Sequence, residues 1–156
     1  MENPEKALEA FEKAIEIDHN YVLAWNGKGN ALEKLERWND ATDCYEKIIE
    51  LGAASATTHI ALARLYRKMG QDAKSTAQCK LARQLIENES KYNQTCCEAV
   101  CGSAEEALKL FEIALKEKQV QPDWARQDPD FEFIRDDPRF KKLIDEFSQD
   151  ESSEEK

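Results

Sequence analysis

Glycine and proline are scarce in this chain of 156 residues, at 5 and 4. So few turn-forming residues disfavour an architecture of many short strands and favour helices. No apolar run approaches the roughly 18 residues of a membrane span. The opening Met1-Glu2-Asn3-Pro4-Glu5 lacks the basic and apolar regions of a secretory leader, so the chain reads as cytoplasmic. Positive charge is in deficit, with 22 Lys and Arg against 32 Asp and Glu and a formal net charge of -10. Such a field repels phosphate backbones and anionic membrane surfaces, so neither nucleic acid nor membrane is an expected partner. A Gly-rich phosphate loop, a nucleophile motif and an HExxH sequence are all missing, and the carboxylates fall at helix-surface spacing. The chain therefore reads as a non-enzyme that needs no cofactor. The five cysteines, Cys44, Cys79, Cys96, Cys97 and Cys101, form no CxxC pair, and His19 and His59 are distant in sequence. A zinc site needs four convergent N or S ligands. The cysteines read as reduced, mostly buried thiols, with no metal.

What is present is an internal period. Ala7, Ala41 and Ser75 are 34 residues apart, and Phe11, Tyr45 and Cys79 keep the same step, as do Ala14, Ile48 and Ala82. A further copy, Ala107, Phe111 and Ala114, follows 32 residues later. Apolar residues within each copy recur with the rhythm of an amphipathic helix, as in Ala107, Leu108, Phe111, Ala114 and Leu115. The pattern predicts helices over 4–17, 21–35, 38–51, 55–69, 72–87, 89–101 and 104–117. Asn3-Pro4 supplies a cap and a proline at the first helical position. Gly70 and Gly102 stand where left-handed helix ends are expected. Ser103-Ala104-Glu105-Glu106 has the form of a capping box.

A period of 34 with two helices per unit resembles the tetratricopeptide repeat. Trp25, Gly29, Ala41 and Tyr45 match the motif of that family in one unit. Leu62, Ala63, Tyr66, Gly70 and Ala82 match it in the next, and Gly102, Ala107, Phe111 and Ala114 in the last. Leu32 replaces the usual Tyr, His59 replaces Trp, and the repeat-end Pro is missing, with His19, Ala53 and Glu87 in its place. The resemblance covers about residues 4 to 121. It implies an all-α fold, an α-solenoid of helix-turn-helix repeats wound into a right-handed superhelix. The implied organisation of residues 1–121 is a half repeat, 4–21, and repeats 22–55, 56–87 and 88–121. Small residues explain the frame physically: antiparallel helices approach closely where Gly29 or Ala63 faces Ala41 or Ser75. A single helix pair cannot bury both faces, so units must stack.

Both ends depart from the repeat. The first unit begins at its second helix, 4–17, whose uncovered apolar face suggests a fragment of a longer array and a site of self-association. Residues 122–147 resemble the closing segment of prokaryotic members of the family. Trp124, Phe131, Phe133, Ile134, Phe140, Leu143 and Ile144 can cover the open end of the stack, while Asp128-Pro129 and Asp137-Pro138 cap short helices. Helix capping, rather than metal binding, accounts for that acidic cluster. Residues 148–156, polar and acidic, read as a disordered tail.

The resemblance places the first helix of each unit on a concave groove. Groove-facing positions then include Asn26 and Asn30, next Arg64, Arg67 and Lys68, and finally Asn93. An Asn side chain can donate to and accept from a peptide backbone together, and Arg can fork onto a carboxylate. These six residues are the candidate partner-binding set. The implied function is a protein–protein interaction scaffold or adaptor that holds a peptide or protein segment, one with an acidic group, in the groove. An alternative reading is a regulatory repeat fragment of a larger enzyme or sensor. A thiol-based redox role for Cys96, Cys97 and Cys101 is a third.

Overall fold

The computed structural model describes residues 3–154, with side chains described for 3–148. Seven helices alternate direction: α1 (Pro4–Ile17), α2 (Val22–Lys34), α3 (Trp38–Glu50), α4 (Ala56–Lys68), α5 (Asp72–Leu85), α6 (Lys91–Val100) and α7 (Ala104–Lys116). After them come a one-turn helix α8 (Pro122–Ala125), a 3-10 turn (Pro129–Phe131) and α9 (Pro138–Glu154). The described residues contain no strand. α2 packs on α3, α4 on α5 and α6 on α7 as antiparallel pairs, and α1 covers the outer face of α2. This is the all-α repeat solenoid that the 34-residue period implies.

Local chemistry sets the helix ends. Asn3 caps α1, its Oδ1 accepting from the Lys6 amide at 3.0 Å, with Pro4 at the first helical position. Ser55 and Thr58 form a reciprocal capping box on α4. Gly70 and Gly102 close α4 and α6 with φ of 69° and 84°, as their positions in the repeat predict. Glu36 adopts the same left-handed geometry after α2, at φ 57°, without the benefit of being glycine. The expected capping box at Ser103 does not form. Ser103 Oγ instead accepts from Arg83 at 2.9 Å, a long-range partner that local sequence does not reveal. α6 starts at Lys91 rather than at 89, because Ser90 caps it, accepting from the Asn93 amide at 3.1 Å.

The close approach within each pair takes two forms. Ser75 meets Ala63 as expected, its hydroxyl donating to the Ala63 carbonyl at 2.9 Å. Gly29 meets the ring of Tyr45, one turn further along α3 than Ala41: a Cβ on Gly29 would stand 2.8 Å from Tyr45 Cζ. Tyr45 is fully buried and its hydroxyl is fixed by Asn30 and Glu33, both at 2.8 Å, so the ring cannot retreat. Gly29→Ala is therefore expected to destabilise by about 1–2 kcal/mol, overpacking outweighing the gain in helix propensity. Urea unfolding measures this; an unchanged or raised midpoint would mean that the ring yields freely.

The C-terminal segment closes the stack. Phe131, Ile134, Phe140 and Ile144 are buried with Phe111, Leu115 and Ala107. Leu143 packs against this core from a partly buried position. Two residues expected in the cap lie elsewhere. Trp124 is 59% exposed beside Tyr92, with ring centroids 5.8 Å apart. Phe133 lies against the Arg67 guanidinium, 3.9 Å from ring centroid to Cζ. α9 runs on to Glu154, so backbone from 148 to 154, expected as disordered tail, is helical; its side chains from 149 on, and residues 155–156, lie outside the described residues. At the other end Ile17, Tyr21 and Leu23 are exposed.

Cys79 and Cys101 are joined in a disulfide across 22 residues, with Cα atoms 5.6 Å apart, which corrects the reading of all five cysteines as reduced thiols. The antiparallel return from α5 to α6 brings the two together, and spacing in the sequence carries no sign of it. Cys44, Cys96 and Cys97 are free and buried.

Candidate partner-binding groove

α2, α4 and α6, the first helices of the three pairs, line one side of the molecule, and residues 124–130 cross its far end. Together they enclose a groove of about 660 Å³. Five of the six candidate residues line it: Asn26, Asn30, Arg64, Lys68 and Asn93. Arg67 does not. Its side chain turns to the opposite side of α6, donating to the Val100 carbonyl at 2.8 Å, and lines a second cleft with α5.

The floor of the groove is a buried charge cluster. Arg64 is 4% exposed. Its Nη2 donates to both Glu33 carboxylate oxygens, at 2.8 and 2.7 Å, and its Nε to Oε2 at 3.1 Å. Its Nη1 pairs with Asp130 of the 3-10 turn. The sequence places Arg64 on the groove surface; the structure sinks it beneath, because the closing segment delivers a second carboxylate 66 residues away. Burial alone would lower the Arg64 pKa, but Asp130 and Glu33 outweigh it and the guanidinium is held charged more firmly than usual. Glu33 also accepts from Tyr45, which keeps the phenol protonated, burial and the Glu33 charge both raising its pKa. Lys68 is nearer the surface. It pairs with Glu132 at 2.5 Å and sits over the Trp38 ring, 5.6 Å from its centroid.

Asp128 continues the cluster. Its Oδ1 accepts from the Asp130 amide at 2.8 Å, the capping role expected of Asp128-Pro129, and its Oδ2 accepts from Tyr92. Asp137 likewise accepts from the Arg139 amide at 2.9 Å. Cys96, Asp128 and Asp130 bring their ligand atoms within 4.8 Å of one another, but the Arg64 guanidinium already serves as the cation there. Burial, then the Asp130 charge, push the Asp128 carboxyl up to about 6. A carboxyl raised above its unfolded pKa, 3.8, favours the fold when protonated. That contribution is complete below about 4 and is lost as pH rises through about 6. Asp128→Asn removes the titrating charge and keeps one acceptor. The variant is therefore expected to gain about 1–3 kcal/mol on wild type between pH 4 and 7.5, measured by urea unfolding across that range. A gap that does not change with pH would contradict the buried, raised carboxyl.

The amide side chains occupy the rim. Asn26 and Asn30 are exposed on α2, and the Asn30 amide lies 2.8 Å from the Tyr45 hydroxyl, which orients it at the groove rim. Asn93 is half-buried and donates to Glu89 at 3.1 Å, leaving its carbonyl oxygen. Trp124 and Gln127, exposed on the closing segment, complete the wall. Sequence reasoning missed both, since they belong to the cap and not to the repeat frame.

A family model for the tetratricopeptide repeat matches residues 1–21. Tetratricopeptide repeat protein 37 of Xenopus laevis is 38% identical over 58 residues, 35% of this chain and 4% of that protein. The DnaJ homolog subfamily C member 7 homolog of Schizosaccharomyces pombe is 34% identical over 65 residues, 42% of this chain and 14% of that protein. The chain thus spans a small part of the length of these relatives. Among solved structures, YrrB, described as a tetratricopeptide-repeat protein with an unusual peptide-binding site, superposes with a TM-score of 0.52 at 23% identity. The match covers 92% of this chain and 76% of that one, and it shows a shared fold. The 34-residue frame, the paired helices and these likenesses converge on one architecture: the chain is similar to tetratricopeptide-repeat proteins and shares their fold.

Proposed function

We propose that the chain is a protein-interaction module that holds an extended segment of a partner protein in the groove between α2, α4, α6 and residues 124–130. One observation carries the reading. Exposed amides, Asn26, Asn30 and Gln127, with the half-buried Asn93 and an exposed Trp124 ring, surround the groove above a floor of saturated charge. Amides recognise peptide backbone, which offers donors and acceptors alike, and an exposed ring accepts an apolar side chain. The rigid Glu33–Arg64–Asp130 floor keeps the rim preorganised, so little ordering entropy opposes binding. An acidic group on the partner fits at Lys68, whose present partner Glu132 is 42% exposed and exchangeable. Arg64 supports the site from beneath, and Arg67 stands outside it.

Selection from a displayed library of random peptides tests the proposal. Peptides enriched on wild type should bind Asn26→Arg at least tenfold more weakly, because Asn26 is exposed and the larger side chain blocks the rim without disturbing the packing. Equal binding to both proteins would place recognition on another surface.

A further inference from the structure

The second cleft is chemically distinct from the groove. It encloses about 590 Å³ between α5 and the end of α6. Its lining carries Arg67, Lys80 and Arg83 against the carboxylate of Asp72, and with Arg83 paired to Glu98 beside it, Lys80 and Arg67 leave a modest positive surplus on a chain of net charge -10. The Cys79–Cys101 disulfide lies in its wall, and Cys101 is only half-buried. We propose that this cleft is a thiol–disulfide exchange site that takes small anionic thiols, with Cys101 Sγ as the sulfur attacked.

Three features support this. The cations raise the local concentration of an anionic thiol and stabilise its thiolate, the nucleophilic form. Both cysteines line the cleft, Cys79 from the core side and Cys101 half-buried at its wall. The third cysteine, Cys97, stands with its Sγ 4.0 Å from Cys101 Sγ, yet burial and then the Glu98 charge push its thiol up to about 12. Cys97 therefore stays protonated at neutral pH and does not compete as an internal attacker, leaving exchange to an incoming thiolate.

The chemistry balances with two equivalents of thiol. The first thiolate attacks Cys101 Sγ, a mixed S–S bond forms, the Cys79–Cys101 bond breaks, and Cys79 leaves as a thiolate that takes a proton from solvent. A second thiolate attacks the ligand sulfur of the mixed disulfide and releases Cys101. Two small thiols are oxidised to their disulfide, and the protein bond is reduced by two electrons. Because the bond ties α5 to the C-cap of α6, its state governs how firmly neighbouring repeats are joined.

Non-reducing peptide mapping of the air-oxidised protein should first recover a Cys79–Cys101 linkage. Reduction is then followed with glutathione, which is net anionic, and with cysteamine, which is net cationic, each rate normalised to that thiol's rate with a small-molecule disulfide. That normalisation removes differences in intrinsic nucleophilicity. Glutathione should be favoured several-fold at low salt, the advantage should shrink as salt rises, and Lys80→Glu should abolish it. Lys80 is exposed, so the variant leaves the fold intact. A mapped protein with five free thiols, equal normalised rates for the two thiols, or reduction only after denaturation would each overturn the proposal.

Discussion

Replacing Arg64 with methionine should destabilise the protein by about 3–5 kcal/mol, because it leaves two partly buried carboxylates without their buried counter-charge. Arg64 is the only cation that an ion pair gives to Glu33 or Asp130 among the described residues, and its side chain is 5% exposed against 12% and 18% for theirs. With Met in place, Glu33 and Asp130 must take up protons or draw in water, and Asp128 beside them adds to the repulsion. The loss should therefore be largest at neutral pH and shrink as pH falls and the carboxylates neutralise. Adding Glu33→Gln and Asp130→Asn should recover most of it, since an uncharged hydrogen-bonded cluster needs no guanidinium. Urea unfolding of the single and triple variants measures both. A single variant within about 1 kcal/mol of wild type would show that the cluster is hydrated rather than buried.

Phe131→Ala should cost about 3–5 kcal/mol, the usual loss for truncating a buried aromatic ring. Phe131 is fully buried and touches three other rings, with centroids 5.3 Å from Phe111, 5.5 Å from Phe140 and 5.8 Å from Tyr92. Its neighbour Asp130 reaches Arg64, so the ring also anchors the segment that walls the groove. The variant should bind groove-selected peptides more weakly as well as unfold earlier. Thermal unfolding gives the first result and peptide titration the second. Lowered stability with peptide affinity unchanged would separate the cap from the site.

The repeat frame was readable because it depends on residues one turn or one period apart. Small residues at Ala41 and Ser75, aromatics at Tyr45 and Phe111, and glycines after α4 and α6 recur in phase, and the helices follow them closely. The same local logic brought Asn26, Asn30, Arg64, Lys68 and Asn93 to one groove. It failed where a long-range partner decides the outcome. Arg67 shares a face of α4 with Arg64 by its spacing, but carbonyls at the end of α6 capture its side chain. Arg64 is buried by an aspartate 66 residues on, and Cys79 meets Cys101 only once α5 and α6 are packed. Trp124 looks like core in the sequence, yet Phe131, Ile134 and Phe140 already fill the end of the stack.

Amide chemical-shift mapping of a library-selected peptide on the isotope-labelled protein tests the central claim directly. The groove account predicts that the largest shifts fall on residues 26, 30, 57, 93 and 127, all on one wall or another of the same cavity. Shifts concentrated instead around Ile49, Leu81 and Ile113, exposed on α3, α5 and α7, would place the partner on the second helices and contradict it.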